Sequence, residues 1–423
     1  MPKIVISNCW SYYNKGDAAI ALSTADYIHS KFENSEITLL AVDYKSFTDN
    51  ISSLSYPINI LPMIHRIEPF RTLGKFYSGA FHYLNGGFSL FGMVYLIIQV
   101  LLMTVLSHIS SITHEISSEI ENADLVIGVG GNYLWSNEGL YNHLIPLMYA
   151  KYIKRKKIVL LGHSIGPFKN RIDRLMIELL LNKVDLTVFR EKVSYEYIMN
   201  NGISINNNIV LSDLAFLLNP RFPNTYSKKP IIGFTIRKWL KKKPKLFKNY
   251  IQSIVKLIEK LCKDGNKVYL IPFSYLEGDE NDVEICNKVL EIIKEEHKKN
   301  IIKLDFQKFT PNQLIKKLSD LEISVLIGTR LHSVILASMA NIPSIVISYQ
   351  HFKAKGISKQ LGLQEYLIKI DEINDKNLEN KYISLSEHHE LIKNEMKLSI
   401  INTRNELGTK VERIIAAMIE IGG

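Results

Sequence analysis

Short apolar runs alternate along this chain with longer stretches whose apolar positions recur every three or four residues. The first kind reads as buried strand and the second as amphipathic helix. Their alternation is the pattern of parallel α/β layers. In the first half the predicted strands are KIVIS (3–7), ITLLAV (37–42), DLVIGV (124–129), KIVLLG (157–162), LTVFR (186–190) and NIVLS (208–212), with helices over 18–32 and 171–182. NPRFPNTYSKKP (219–230), rich in Pro, Asn and Lys, reads as a linker. A second series follows: IIGFTI (231–236), KVYLIPF (267–273), IIKLDF (301–306), ISVLIG (323–328) and PSIVIS (343–348), and then an amphipathic helical end. The pattern predicts two Rossmann-like α/β domains facing a cleft, over residues 1–222 and 230–423. Ligands of such sheets bind beyond the carboxyl ends of the strands, so chemistry is sought in the loops that follow them.

One stretch interrupts the pattern. Residues 76–114 contain no Asp, Glu, Lys or Arg, and 88–106 (FSLFGMVYLIIQVLLMTVL) is nearly all apolar. That is about the length a membrane-spanning helix needs. The strands before and after it read as members of one sheet, however, and a single crossing would put them on opposite sides of a bilayer. The segment is therefore expected as an apolar insertion in the first domain. It would either be buried in a core or dimer interface, or dip into one leaflet.

Composition narrows the class. The chain has 423 residues, 46% hydrophobic and 22% charged, which excludes a disordered, collagenous or coiled-coil protein. Its 52 basic and 42 acidic side chains leave +10, an excess suited to phosphates, lipid head groups or nucleic acid. Cys9, Cys262 and Cys286 are scattered, so neither a disulfide framework nor a zinc site is expected. The opening MPKIVIS reads as a strand and not as a signal peptide, which makes the cytoplasm the expected compartment. Lys238, Lys241, Lys242, Lys243, Lys245 and Lys248 crowd one loop with Trp239 and Phe247. That loop is either simply solvated or turned toward an anionic membrane or a phosphate-bearing substrate. Nothing resembles an RNA platform or a recognition helix, so nucleic acid is not an expected partner.

Four loops carry candidate chemistry. After the first strand, Asp17 reads as the N-cap of a helix starting near Ala18, with Gly16 permitting the turn. Asn14 and Asp17 could also hold a substrate hydroxyl or anion at that helix N-terminus. After the third strand, Gly128, Gly130 and Gly131 allow close backbone approach, without GxGxxG spacing or a P-loop lysine, and Asn132 follows. His163 lies before Gly166-Pro167, where a structural and a functional role both stand. The fullest set is in LIGTRLHSVILASMANIPSIVISYQHFKAKGI: Arg330 and His332 at a strand-to-helix turn, then a loop with Tyr349, His351, Lys353 and Lys355. Cations and a histidine beside a helix N-terminus suit a small dianion carrying carboxylate and phosphate. A histidine there can move protons near neutral pH. Arg237, at the end of strand 231–236, adds a further cation.

With NKGDAAI (14–20), DLVIGVGGN (124–132), GHSIGPF (162–168), FREKVSYEYI (189–198), SDLAFLL (212–218), GTRLHSVILASMANIPSIVISY (328–349) and KAKGI (353–357) in this order, the chain resembles the polysaccharide pyruvyltransferase family, in particular members that modify exopolysaccharide repeat units. The resemblance implies a GT-B-like fold and transfer of pyruvate from phosphoenolpyruvate onto two sugar hydroxyls as a cyclic ketal. For such a donor, His332 and Lys353 are the candidate catalytic residues, and Arg237, Arg330, His163 and Lys353 fall on the donor side. Asn14, Asp17 and Asn132 would face the acceptor, a sugar or lipid-linked oligosaccharide. Beyond phosphoenolpyruvate as co-substrate, no cofactor or metal is expected. The family's Lys-x-x-Gly pattern picks Lys353, but one extra residue after Tyr349 leaves Lys355 as its rival. A lipid-linked acceptor would give a purpose to peripheral attachment at the inner face of the membrane, and a homodimer stays open. A glycosyltransferase using a nucleotide sugar is the alternative, since a diphosphate needs the same cations.

Overall fold

The computed structural model describes residues 1–51, 54, 56–83, 89–223, 229–238, 243–349 and 351–420, the side chains of 79–83, 89 and 351–353 excepted. Trp239, Lys241, Lys242 and the Lys353 side chain therefore lie outside the described residues. The chain forms two compact units. One comprises Met1–Tyr12, Ile20–Leu214 and Leu407–Gly423, and the other Tyr13–Ala19 and Ala215–Glu406.

The first unit is built on seven parallel strands: β1 (Lys3–Ser11), β2 (Glu36–Asp43), β3 (Asn59–Pro62), β4 (Leu125–Val129), β5 (Ile158–His163), β6 (Leu186–Phe189) and β7 (Asn208–Val210). Their order is β3-β2-β1-β4-β5-β6-β7. The second unit has β8 (Ile231–Thr235), β9 (Lys267–Leu270), β10 (Ile301–Lys303), β11 (Val325–Gly328), β12 (Ser344–Ser348) and β13 (Leu367–Lys369), ordered β10-β9-β8-β11-β12-β13. Both orders reverse direction beside the first strand of the unit, which opens a crevice at the carboxyl ends of β1 and β4 and of β8 and β11. Every strand in the apolar runs is present. β3 and β13, both at sheet edges, were not among the runs read as strands, and β3 ends on a proline that an inner strand would not tolerate.

Two local expectations change. The helix after β1 begins at Lys15, not near Ala18, so Asp17 sits in its first turn. The capping contact comes from Asn14, whose side-chain oxygen accepts the Gly16 N–H at 3.1 Å. The stretch after Tyr349, read as a loop, is helical from His351 to Gln360.

The apolar insertion is helical over Phe70–Tyr83, Ser89–Leu106 and Ser111–Asn122. The middle helix is half-buried. Tyr95, Leu96, Gln99 and Met103 face the core of the first unit, while Leu90, Phe91, Val94, Ile97, Ile98, Leu101 and Val105 are exposed. No single helix among the described residues is long and apolar enough to cross a membrane.

Gly130, just after β4, serves the sheet itself. A Cβ on Gly130 would lie 2.3 Å from the Gly162 carbonyl oxygen, so the bare backbone is what lets the ends of β4 and β5 close together. Gly130→Ala should cost roughly 1–3 kcal/mol by overpacking against backbone that cannot swing aside. Gly356→Ala, in a helix and with open space around it, should be neutral or stabilising. Thermal unfolding of the two variants checks the contrast; equal midpoints would mean that the loop relaxes freely.

Candidate active site

The second unit gathers charge where β8 and β11 end. Arg330 caps the helix Leu331–Met339 and is 6% exposed. Its Nε and Nη2 grip Asp282, which is 0% exposed, with contacts of 2.8 to 3.2 Å. Its Nη1 donates to Glu280 Oε2 at 2.7 Å and its Nη2 to the Glu280 carbonyl at 3.1 Å. Arg237 pairs with the other oxygen of Glu280, hydrogen-bonds the Tyr349 hydroxyl, and lies over the Tyr349 ring at 4.5 Å. Two guanidiniums thus share one carboxylate, Glu280, whose side chain is 38% exposed. Asp282 is enclosed and also accepts the N–H groups of Phe273 and Ser274, at 3.1 and 3.0 Å. Glu280 can leave this arrangement; Asp282 cannot without stranding a buried charge.

Residues Tyr13–Ala19 pack into this same unit. Asn14 bridges to Ser274, the Lys15 N–H donates to the Phe273 carbonyl at 3.0 Å, and the Tyr275 N–H donates to the Tyr13 carbonyl at 2.9 Å. Gly16 then lies against His332, in the first turn of the helix Leu331–Met339. A Cβ on Gly16 would be 2.3 Å from the His332 Nδ1. Lys15, at 0% exposure, donates from Nζ to the carbonyls of Gln307 and Phe309 at 2.6 and 3.1 Å. Burial pushes its ammonium down to about 7, with Asp305 opposing. Sequence reasoning passed over Lys15, Glu280 and Asp282. The lysine was hidden inside a glycine turn, and the two acids lie on a loop far from the arginines they pair with.

The structure thus brings Asn14, Asp17, Arg237, Arg330 and His332 into one unit, and places Asn132 and His163 in the other. His163 is the last residue of β5, wholly buried, with Nε2 donating to the Gly128 carbonyl at 2.8 Å. Burial drives it down to about 4, so the ring is neutral near pH 7 and ties β5 to β4 instead of presenting charge. The Asn132 carbonyl accepts the Trp135 Nε1–H at 3.1 Å. Nearby, the rings of Trp10, Tyr133 and His143 group together, Tyr133 stacking on His143 at 4.5 Å. Their signal, Trp10 near the end of β1 and Tyr133 soon after β4, was visible but unused. Arg190 of the FRE motif is buried and tied to Asp213, Ser164 and Glu191. Lys355 is exposed on the helix His351–Gln360. Among the described residues, no group of three His, Cys, Asp or Glu side chains could hold a metal ion.

The sequence profile of the polysaccharide pyruvyl transferase family matches residues 14–351. The chain belongs to that family. A curated relative, the amylovoran biosynthesis protein AmsJ of Erwinia amylovora, is 24% identical over 324 residues, covering 70% of this chain and 73% of that protein. Among solved structures, UDP-GlcNAc 2-epimerase from Neisseria meningitidis bound to UDP-GlcNAc aligns with a TM-score of 0.59 at 11% identity, over 99% of both chains. A glycosyltransferase from Rickettsia africae aligns at 0.53 and 12%, again over 99% of both. These likenesses establish the GT-B fold and nothing finer. As a family member, this pyruvyl transferase is an enzyme acting on polysaccharide, with its arginine pairs and His332 at strand ends where the fold places ligands.

Two outcomes follow for the transferase. Gly16→Ala should displace the His332 imidazole, and a turnover lowered by about 10²-fold is the outcome expected if His332 takes part in the reaction. Donor affinity should hold, and steady-state kinetics separates the two. The second concerns pH. The Lys15 ammonium is about 7 in the folded chain against 10.5 unfolded, so between those values the unfolded state holds more protons and stability rises with pH. Against Lys15→Met, wild type should therefore gain stability from pH 7 to 10. A constant difference in melting temperature across that range would show that Lys15 is not depressed.

Proposed function

We propose that this enzyme transfers pyruvate from phosphoenolpyruvate onto two hydroxyls of a sugar in a polysaccharide repeat unit, forming a cyclic ketal and releasing phosphate. The observation that carries the reading is the shared carboxylate. Arg330 and Arg237 converge on Glu280, a half-exposed anion that a donor carboxylate or phosphate can replace. Arginine forks match such groups in a bidentate way. His332, held against Gly16 at the same strand end, is the proton-transfer group.

The chemistry balances as follows. A proton is added to the methylene carbon of the enol phosphate, leaving positive charge on C2. One sugar hydroxyl adds there and loses its proton. The C2–O bond to phosphate then breaks, the second hydroxyl adds to C2, and its proton leaves with the phosphate. His332 supplies the first proton and takes one back. Lys353 is proposed to stabilise the departing phosphate, and Lys355 remains its rival. The first unit, with Asn132 and the rings of Trp10 and Tyr133, is proposed to receive the acceptor sugar. His163, neutral and enclosed, is left out of the donor set. The work is placed in the cytoplasm, at the inner face of the membrane, where a lipid-linked oligosaccharide would be met.

Incubation with phosphoenolpyruvate and a panel of synthetic or lipid-linked glycosides should give phosphate release and products heavier by one pyruvate less water. Transfer from a UDP- or GDP-sugar, with phosphoenolpyruvate inert, would replace this reading with a glycosyltransferase. Glu280→Gln should lower the donor KM several-fold by removing the competing anion, whereas Arg237→Lys should raise it.

A further inference from the structure

We propose that the outer face of the helix Ser89–Leu106 docks on an anionic lipid bilayer, the helix lying in the plane of the head groups. This rests on the membrane-face reading above and gives it a surface, but it does not depend on which donor the enzyme uses.

The exposed side chains Leu90, Phe91, Val94, Ile97, Ile98, Leu101 and Val105 recur at helical spacing and form one stripe, continued beyond the helix by Ile109. The opposite face is committed to the protein. Tyr95 donates to the Asn142 side chain at 2.6 Å, Gln99 donates to the Phe70 carbonyl at 3.1 Å, and Met103 is fully buried. A bilayer crossing would tear these contacts out of the core. The next helix, Ser111–Asn122, turns away by 100°, carries Glu115, Glu119 and Glu121, and buries Ile116 and Ile120 in the unit. It is no second arm of a membrane hairpin. One apolar face in and one face out is the arrangement of an interfacial helix.

The surroundings select the occupant. Among the helices packed against this one are Phe70–Tyr83 and Arg171–Leu181. The first adds exposed Phe76 with Arg71 and Lys75, and the second adds exposed Leu175 and Leu179 with Arg171 and Arg174. Neither Phe70–Tyr83 nor Ser89–Leu106 has an acidic residue; on the other helix Asp173 is buried and Glu178 accepts the Ser204 N–H, and Glu68, just before the first, pairs with Arg71 and leaves Lys75, Arg171 and Arg174 as the basic rim. An apolar stripe with basic neighbours complements acyl chains beneath anionic head groups. A second protein copy is the poorer partner. Protein interfaces carry about one hydrogen bond per 100–200 Å², and the polar side chains described on this helix point inward or bond within it.

The test is flotation of the full chain with vesicles of phosphatidylcholine and phosphatidylglycerol in equal parts, and with phosphatidylcholine alone. Wild type should float with the mixed vesicles at low salt and less with phosphatidylcholine. Ile97→Glu with Leu101→Glu, both at exposed positions, should cut the bound fraction ~tenfold, since binding scales with the apolar area inserted. Its melting temperature and its turnover of a water-soluble acceptor should stay at wild-type values. Arg171→Glu with Arg174→Glu should weaken binding to the mixed vesicles while leaving the phosphatidylcholine result alone. Wild type staying unbound would overturn the proposal, and so would a wild-type dimer that the Ile97→Glu, Leu101→Glu variant converts to monomer without any lipid binding. Loss of pyruvyl transfer with flotation intact would strike the donor reading and leave this one standing.

Discussion

The enclosed pair between Arg330 and Asp282 is the contact on which the rest of the candidate site hangs. Asp282 spends one edge on the guanidinium and also receives the N–H groups of Phe273 and Ser274. Those two residues are the rail on which Asn14 and Lys15 dock, and the docked turn sets Gly16 against His332. A single buried ion pair is thereby linked, through backbone, to the histidine assigned to proton transfer. Breaking one side of such a pair costs about 3–5 kcal/mol, because the survivor is left charged and dry. Arg330 is consequently a structural residue first. Loss of activity in a variant at this position would say little about the donor unless folding were measured beside it.

This division of labour was only half legible in the chain. The inner strands could be read because they are buried on both faces and so run apolar without interruption. β3 and β13 were not read, and their edge position alone does not account for it, since the edge strands β7 and β10 were. The turn at Arg330 and His332 was visible as charge at a strand end. Its partners were not, because Glu280 and Asp282 lie in GDEND, a run that reads as a solvated loop, and 48 residues separate Asp282 from Arg330. The glycines after β4 were read as room for a ligand, and at Gly130 the room is taken by the Gly162 backbone. The apolar insertion was legible in extent but not in attitude. Which residues of an all-apolar helix face inward is decided by a few polar atoms, here Tyr95 and Gln99, and by partners far away in sequence.

The net charge of +10 is a poor guide to where an anion would bind. Arg190 is neutralised by Asp213 and Glu191, Arg330 by Asp282 and Glu280, and Lys238 lies 3.1 Å from Asp279. Buried cations need such partners, so the arginines that look most available in the sequence are the most fully engaged in the fold. What marks a binding position is therefore not a bare cation but an engaged one whose counter-ion is half-exposed. Glu280 meets that description and Asp282 does not.

Charge counting then says something about the proposed donor. With Glu280 displaced, the cluster holds two guanidiniums and the Asp282 carboxylate, a sum of one positive charge. Phosphoenolpyruvate carries both a carboxylate and a phosphate, more negative charge than that sum can match. The edge of Arg330 that faces Asp282 is spent, so the cluster offers one bidentate position, between the free edge of Arg330 and Arg237. The second anionic group must find its partners elsewhere in the same unit. The N-terminus of the helix Leu331–Met339, with Arg330 at its N-cap, favours an anion through the helix dipole. It supplies only partial charge. The proposed transfer also asks for a full cation to offset a leaving phosphate, and the helix His351–Gln360, which follows β12 in the chain, carries both Lys353 and Lys355. On the proposed reading, charge balance asks for one more cation than the two arginines supply, and Lys353 and its rival Lys355 are the candidates for it.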